Sequence, residues 1–197
     1  MPMARMKATI KGVAIELFFK KGYYATSISE IAQGSGIQKS SIYYHYESKE
    51  ALLLNILRTT LDDLTAFLKE NLAGVFDLEE RMRLAVHGHV RFHLERQKET
   101  FIANSEMRGL SRENRRAIVE LRDEYERIFQ DLIREGIEEG VFERGDVKIL
   151  SYAILTLCTS GASWFRPGGR LTIDDIAAIY EHFIIEGLKG SAGALSG

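Results

Sequence analysis

Apolar residues recur along this chain at helical intervals. Ile10, Val13, Ala14, Leu17 and Phe18 stand three and four apart, which predicts a helix over 5–21 with Gly22 as its stop. Ser27 and Glu30 then have the S-x-x-E spacing of a capping box, in which each side chain satisfies a backbone N–H of the first turn. The short helix they open carries Ile28, Ile31 and Ala32 on one face and ends near Gly34 or Gly36. A second short helix is expected over about 38–45. Ser48 caps a longer one, with Leu52, Leu53, Ile56, Leu57, Leu61, Leu64 and Leu68 at its apolar positions. Further helices are expected at about 77–96, 98–109, 112–139, 146–165 and 173–189. Ser111 or Arg112 opens the third of these and Gly140 closes it. Asp146 opens the fourth, and Thr172 with Asp174 and Asp175 opens the last, where carboxylates suit the positive helix end. Arg166-Pro167-Gly168-Gly169-Arg170 is the clearest turn, and residues 191–197 are expected to form a disordered tail.

Composition points to the same all-α class. Pro2 and Pro167 are the only prolines, so none interrupts the long helical stretch between them. A hydrophobic share of 45% argues against wholesale disorder. The single cysteine, Cys158, excludes an intrachain disulfide framework. No apolar signal segment is evident, and the most apolar run, Ile149 to Phe165, is too short to span a bilayer. A cytoplasmic protein with no membrane partner is expected. Net charge is −2 overall, but residues 1–50 hold seven Lys/Arg against four acids, a net of +3, so the remainder carries −5. A basic head on an acidic body is compatible with a head that meets a polyanion.

The segment Gly34-Ser35-Gly36-Ile37-Gln38-Lys39-Ser40-Ser41 has the residue types of a phosphate-binding loop but not its spacing, since lysine stands at 39 where G-x-x-x-x-G-K-[ST] requires glycine. It also follows a capped helix rather than a strand. With the nucleotide reading gone, no cofactor is expected. Two short helices joined by a glycine-containing turn fit a helix-turn-helix, whose second helix enters the DNA major groove. Ile28, Ile31, Ile37 and Ile42 would lock the pair onto its neighbours. Gln38, Lys39, Ser40, Ser41, Tyr43, Tyr44 and His45 are then left for base edges and phosphates.

The run TSISEIAQGSGIQKSSIYYHYESKEALL, with IKGVAIELFFKKGYYAT before it, resembles the DNA-binding head of the TetR/AcrR transcriptional regulators over about residues 5–58. The resemblance implies a DNA-binding domain at 1–50 (motif about 27–46) and an effector-binding and dimerisation body at 51–190. It implies a homodimeric repressor that releases a double-stranded operator when a small molecule binds. By the same resemblance Thr26 and Ser27 hold a phosphate, Gln38, Lys39 and Ser41 touch bases, Tyr43, Tyr44 and His45 grip backbone, and Lys49 contacts phosphate. Tyr46 stands where phenylalanine is commoner, and Lys39 where glycine is frequent.

In the body, EYERIFQDLIREGIEEGVF and WFRPGGRLTIDDIAAIYEHFIIEGL resemble a subset that senses acyl-coenzyme A thioesters in lipid or steroid catabolism; a general hydrophobic metabolite is the competing effector. His89, Phe92, His93, Phe101, Asn104, Met107, Arg108 and Trp164 are the effector-pocket candidates, and Arg112 and Arg166 are further cations for the phosphates of such a thioester. The helices at about 146–165 and 173–189 are apolar enough to bury one face within the subunit and another against a twin. Ile149, Leu150, Ala153, Ile154, Leu157 and Gly161 mark the first face; Ile173, Ile176, Ala177, Tyr180, Phe183, Ile184 and Leu188 mark the second. His89 and His93 have a spacing zinc can use, so the alternative is a helical metal-dependent enzyme using His87, His89 and His93. No cysteine and few carboxylates share that face, and no metal is expected.

Overall fold

A computed structural model describes residues 2–190; the expected tail at 191–197 lies outside them. The described residues form nine α-helices: α1 (Pro2–Lys21), α2 (Ile28–Gly34), α3 (Lys39–His45), α4 (Lys49–Leu72), α5 (Leu78–Glu95), α6 (Gln97–Ser105), α7 (Arg112–Glu138), α8 (Val147–Trp164) and α9 (Ile173–Lys189). A 3₁₀ turn at Met107–Gly109 follows α6, and there is no strand among the described residues. The chain is all-α, as its apolar periodicity predicts.

Local capping sets most helix starts. Ser27 Oγ accepts the Glu30 N–H at 3.2 Å while Glu30 accepts the Ser27 N–H at 2.8 Å, completing the capping box. Thr172 and Asp175 repeat the device on α9. Asp146 accepts two N–H bonds at the start of α8, and Ser48 accepts the Ala51 N–H at 3.0 Å on α4. Past the end of α7, Gly140 takes φ +73°, a left-handed conformation costly for a side-chain-bearing residue.

One element departs from expectation. The helix predicted over 98–109 ends at Ser105, and the chain tightens into the 3₁₀ turn. Tertiary contacts explain the change: a Cβ at Gly109 would lie 2.6 Å from the Tyr23 ring and 3.0 Å from Leu53 Cδ2. The Tyr24 hydroxyl donates to the Arg108 carbonyl at 2.7 Å, fixing the turn.

Packing divides the chain into two units. The first comprises the chain through Asp62 with Lys98–Leu121; the second comprises Asp63–Gln97 with the chain from Arg122 onward. They are discontinuous in sequence, unlike the linear division at residue 50, because α4 and α7 each supply residues to both. In the first, Ile10, Phe18, Ile31, Ile42, Leu52, Leu53, Ile102 and Ile118 are fully buried around α1–α4. Each contributes about 1.5–3 kcal/mol relative to exposure, which holds the short α2 and α3 in place. The second has its core on Met82, Val86, Val90, Phe129, Ile133 and Ile185, with His89, His93 and Ser151 buried among them.

Candidate nucleic-acid interface and buried polar cluster

The motif is built around a reversal between α2 and α3. Ser35, buried, donates its hydroxyl to the Ile31 carbonyl at 2.7 Å. Gly36 then takes φ +68°, and the Ile37 N–H returns to the Ala32 carbonyl at 3.1 Å. Gln38 is extended, and α3 begins at Lys39. At the other end of α2, Glu30 pairs with Lys21 as well as with Ser27. Those bonds, the lysine first, lower its pKa to about 2, so α2 keeps its anionic cap through any physiological pH.

Ile42 is the buried residue of α3. Gln38, Lys39, Ser40, Ser41, Tyr43 and Tyr44 are exposed, the last with 76% of its surface open. His45 is half-buried against the Tyr44 ring at 5.2 Å, and its Nδ1 is buried with no hydrogen-bond partner. Tyr46 turns inward as part of the first core, its hydroxyl 3.3 Å from Asn55 Oδ1. Ser27 is exposed at the start of α2. The motif thus separates into an apolar inner face and an outer face of amide, ammonium, hydroxyl and phenol groups.

Two expected phosphate contacts are placed differently. Thr26 is buried, and its hydroxyl donates to the Gly22 carbonyl at 2.8 Å. Its backbone N–H is also engaged, by the Tyr23 carbonyl at 3.2 Å. Lys49 points inward: Nζ donates to the carbonyls of Tyr23 (2.9 Å) and Thr26 (2.8 Å) and lies 4.3 Å from the Tyr23 ring centroid. Burial lowers its pKa.

The expected effector residues are divided between the two units. His89, Phe92, His93 and Trp164 belong to the second unit; Phe101, Asn104, Met107 and Arg108 belong to the first. Phe101, Asn104 and Arg108 are exposed, and Phe101 packs edge-on against Phe19. Trp164 is half-exposed at the end of α8, where Gln97 donates to the carbonyls of Ala162 and Phe165. Phe92, by contrast, is buried in the second core.

His89 and His93 sit in a buried polar cluster that also contains Tyr125 and Thr159, neither singled out by sequence. His89 Nδ1 lies 2.7 Å from the Tyr125 hydroxyl and Nε2 lies 3.0 Å from Thr159 Oγ1, so both ring nitrogens are engaged. The His93 ring centroid is 4.3 Å away. Burial, then the charge of His93, pushes the His89 pKa well below its ordinary value; burial, then Arg122, lowers His93 to about 4. Burial raises Tyr125 and takes the Cys158 thiol up to about 12. All four groups are therefore neutral near pH 7. His87 is elsewhere, 3.5 Å from Glu181 and 3.8 Å from Asp174, and no group of three or more metal-ligating residues occurs among the described residues. An open groove of about 520 Å³ lies among Phe76, Asp77, Leu78, Arg81, Glu135, Glu138, Glu139 and Val141. Its four acids against one arginine suit neither a thioester nor an apolar effector, and none of its residues was expected in the pocket.

On α8 and α9 the expected apolar faces resolve into two. Ile154, Gly161, Ile176, Ala177, Ile184 and Leu188 are buried within the subunit. Ile149 (64%), Tyr152 (65%), Ile179 (53%) and Phe183 (67%) are exposed. No helix among the described residues is long and apolar enough to cross a membrane.

Two family models match the chain. One, for bacterial regulatory proteins of the tetR family, covers residues 10–56; the other, a tetracyclin repressor-like C-terminal domain, covers residues 76–188. The chain is similar to the HTH-type transcriptional repressor KstR2 of Rhodococcus jostii, at 28% identity over 89% of this chain and 87% of that one. Among solved structures it resembles the ketosteroid transcriptional regulator KstR2 of Mycobacterium tuberculosis, at 26% identity, TM-score 0.85, and 94% and 95% coverage of the two chains. It also resembles the TetR family regulator PfmR of Thermus thermophilus, at 34% identity, TM-score 0.83, and 89% and 96% coverage.

Proposed function

The chain belongs to the tetR family of bacterial regulatory proteins, and from that premise we propose a repressor that binds a palindromic operator as a homodimer and is released by a small hydrophobic effector. The observation that carries the reading is α3, a helix with Ile42 buried and a continuous polar and aromatic face turned outward. A helix this short is held by tertiary packing, and such a face has no use inside the fold. Gln38, Lys39, Ser40 and Ser41 would reach base edges and phosphates, while Tyr43, Tyr44, His45 and Ser27 would grip the backbone. The repressor sign is supported by the likeness to KstR2.

The exposed Ile149, Tyr152, Ile179 and Phe183 of α8 and α9 would form the dimer seam, a helix pair meeting its twin. Two recognition helices would then enter successive major grooves about 34 Å apart. For the effector we favour an acyl-coenzyme A thioester of a lipid or steroid acid, with its carbonyl end near His89, Tyr125 and Thr159 and its chain against Phe92. These groups are neutral and hydrogen-bonding, which suits a carbonyl and disfavours a buried carboxylate. A metal-dependent enzyme built on His87, His89 and His93 draws no support, because both His89 nitrogens are engaged by hydroxyls and His87 lies apart.

Anisotropy of a labelled duplex against salt tests the DNA reading. Binding should weaken steeply with salt, and Tyr43→Ala should weaken it at every salt concentration. A salt-independent signal, or unchanged affinity in Tyr43→Ala, would refute the proposed mode. Adding acyl-coenzyme A thioesters of increasing chain length to the complex should lower anisotropy; a panel without effect on the complex would remove that effector class.

A further inference from the structure

We propose, resting on the reading of the head as a DNA-binding domain, that the first two turns of α1 extend its DNA surface. Arg5 and Lys7 would each contact a backbone phosphate beside the end of α3. A break in burial along one helix stripe points there. Met3, Lys7, Ile10, Ala14 and Phe18 stand three and four apart, so they share a face of α1. Ile10, Ala14 and Phe18 are completely buried in the first core, whereas Met3 is 54% exposed and Lys7 is open to solvent. At a rise of about 1.5 Å per residue, Met3 stands about 10 Å beyond Ile10 along the axis. The helix therefore runs past the core it packs on, and its leading turns carry the stripe into the open.

Tyr46, the residue that ends α3, sets where this overhang lies. Its hydroxyl is 3.4 Å from the Lys7 carbonyl, and Lys7 Nζ is 5.8 Å from the centroid of its ring. A phenylalanine at 46 would lack the hydroxyl. Tyr44 and His45, which the proposed mode puts on the DNA backbone, come directly before Tyr46. The overhang thus continues the outer face of α3, and its charge complements a polyanion. The first turn of α1 holds no acid. Lys21 is paired with Glu30 and Lys98 with Glu16, but Arg5 and Lys7 have no carboxylate partner among the described residues. Two cations left unneutralised beside a helix end that grips backbone are placed to displace condensed counterions.

Each phosphate contact steepens the dependence of log K on log salt by about 0.9. The test titrates Arg5→Gln, Lys7→Gln and the double variant, each as the full chain, into a labelled mixed-sequence duplex across a potassium chloride series. Both side chains are exposed, so the variants should melt with the wild type. The expected slope is shallower by about 0.9 in each single variant and by about 1.8 in the double. Lys148→Gln, which removes an exposed charge from the second unit, should keep the wild-type slope. A wild-type slope in the double variant overturns the proposal. An equal loss in Lys148→Gln does so too, because it marks a general effect of net charge. A loss confined to duplexes with A·T-rich flanks means minor-groove reading and likewise overturns the backbone contact. Acetylation of the wild-type protein, read by mass spectrometry, needs no variant: bound duplex should protect Lys7 and leave Lys148 reactive. Lys7 as reactive in the complex as in the free protein overturns the contact. Wild-type binding that lacks salt dependence removes the DNA reading itself, and this contact with it.

Discussion

Lowering the pH from 7 to 5 should destabilise this protein, by about 2 kcal/mol through His93, with His89 acting in the same direction. Burial, then Arg122, takes the folded pKa of His93 to about 4, against an ordinary 6.5 in the unfolded chain. Above pH 6.5 neither state holds the extra proton, and stability is intact. As the pH falls, the unfolded imidazole binds a proton that the folded one does not accept until about pH 4, so unfolding is favoured. Each such site has a limiting slope of about 1.4 kcal/mol per pH unit, which integrates to about 2 kcal/mol between pH 7 and 5. His89 moves the same way, for burial and for the charge of His93. Carboxylates held low, such as Glu30 at about 2, lose their contribution only below about pH 4.5, so the range from 7 to 5 isolates the histidines. Urea unfolding followed by circular dichroism, at one protein concentration and stepped pH, reads the effect as a falling midpoint. His93→Gln should flatten the fall. A midpoint that holds or rises as pH drops to 5 would refute the assignment of neutral, buried imidazoles.

Tyr125→Phe leaves His89 Nδ1 buried without its 2.7 Å partner and should cost about 1–3 kcal/mol by denaturant unfolding; replacing both Tyr125 and His89 with apolar residues should recover most of that. Gly34→Ala would bring a Cβ to 2.7 Å from Val13 Cγ1, on a side chain too stiff to move aside, and should destabilise by about 1–3 kcal/mol, with Val13→Ala restoring stability in the same melt. Phe183→Glu, on a side chain 67% exposed, should leave the subunit's stability within about 0.5 kcal/mol but abolish self-association in light scattering; retained dimers would move the seam elsewhere.

The parts of this fold that were legible in the sequence are those decided within a few residues. Ser27 with Glu30, Asp146, and Thr172 with Asp175 cap by local spacing, and Gly36 and Gly140 mark left-handed turns in the chain itself. The outer face of α3 follows from Ile42 alone, because one buried residue fixes the rotation of a seven-residue helix. What local spacing misses depends on where a side chain ends up. Lysine at 49 reads as a surface cation, but its direction is set by carbonyls more than twenty residues earlier. Ile149 and Ile154 are equally apolar, yet one is exposed and the other buried, since helix rotation against α5 decides which faces inward. Tyr125 and Thr159 reach His89 from α7 and α8, separations across which periodicity carries no information.

Selection from a pool of randomised duplexes tests whether a symmetric pair of α3 helices recognises DNA by sequence. Enrichment of an inverted repeat whose half-sites lie about one helical turn apart is expected, lost when Phe183→Glu separates the subunits and weakened by Tyr43→Ala. Recovery of an unenriched pool, or of a single half-site bound equally well by Phe183→Glu, would contradict it.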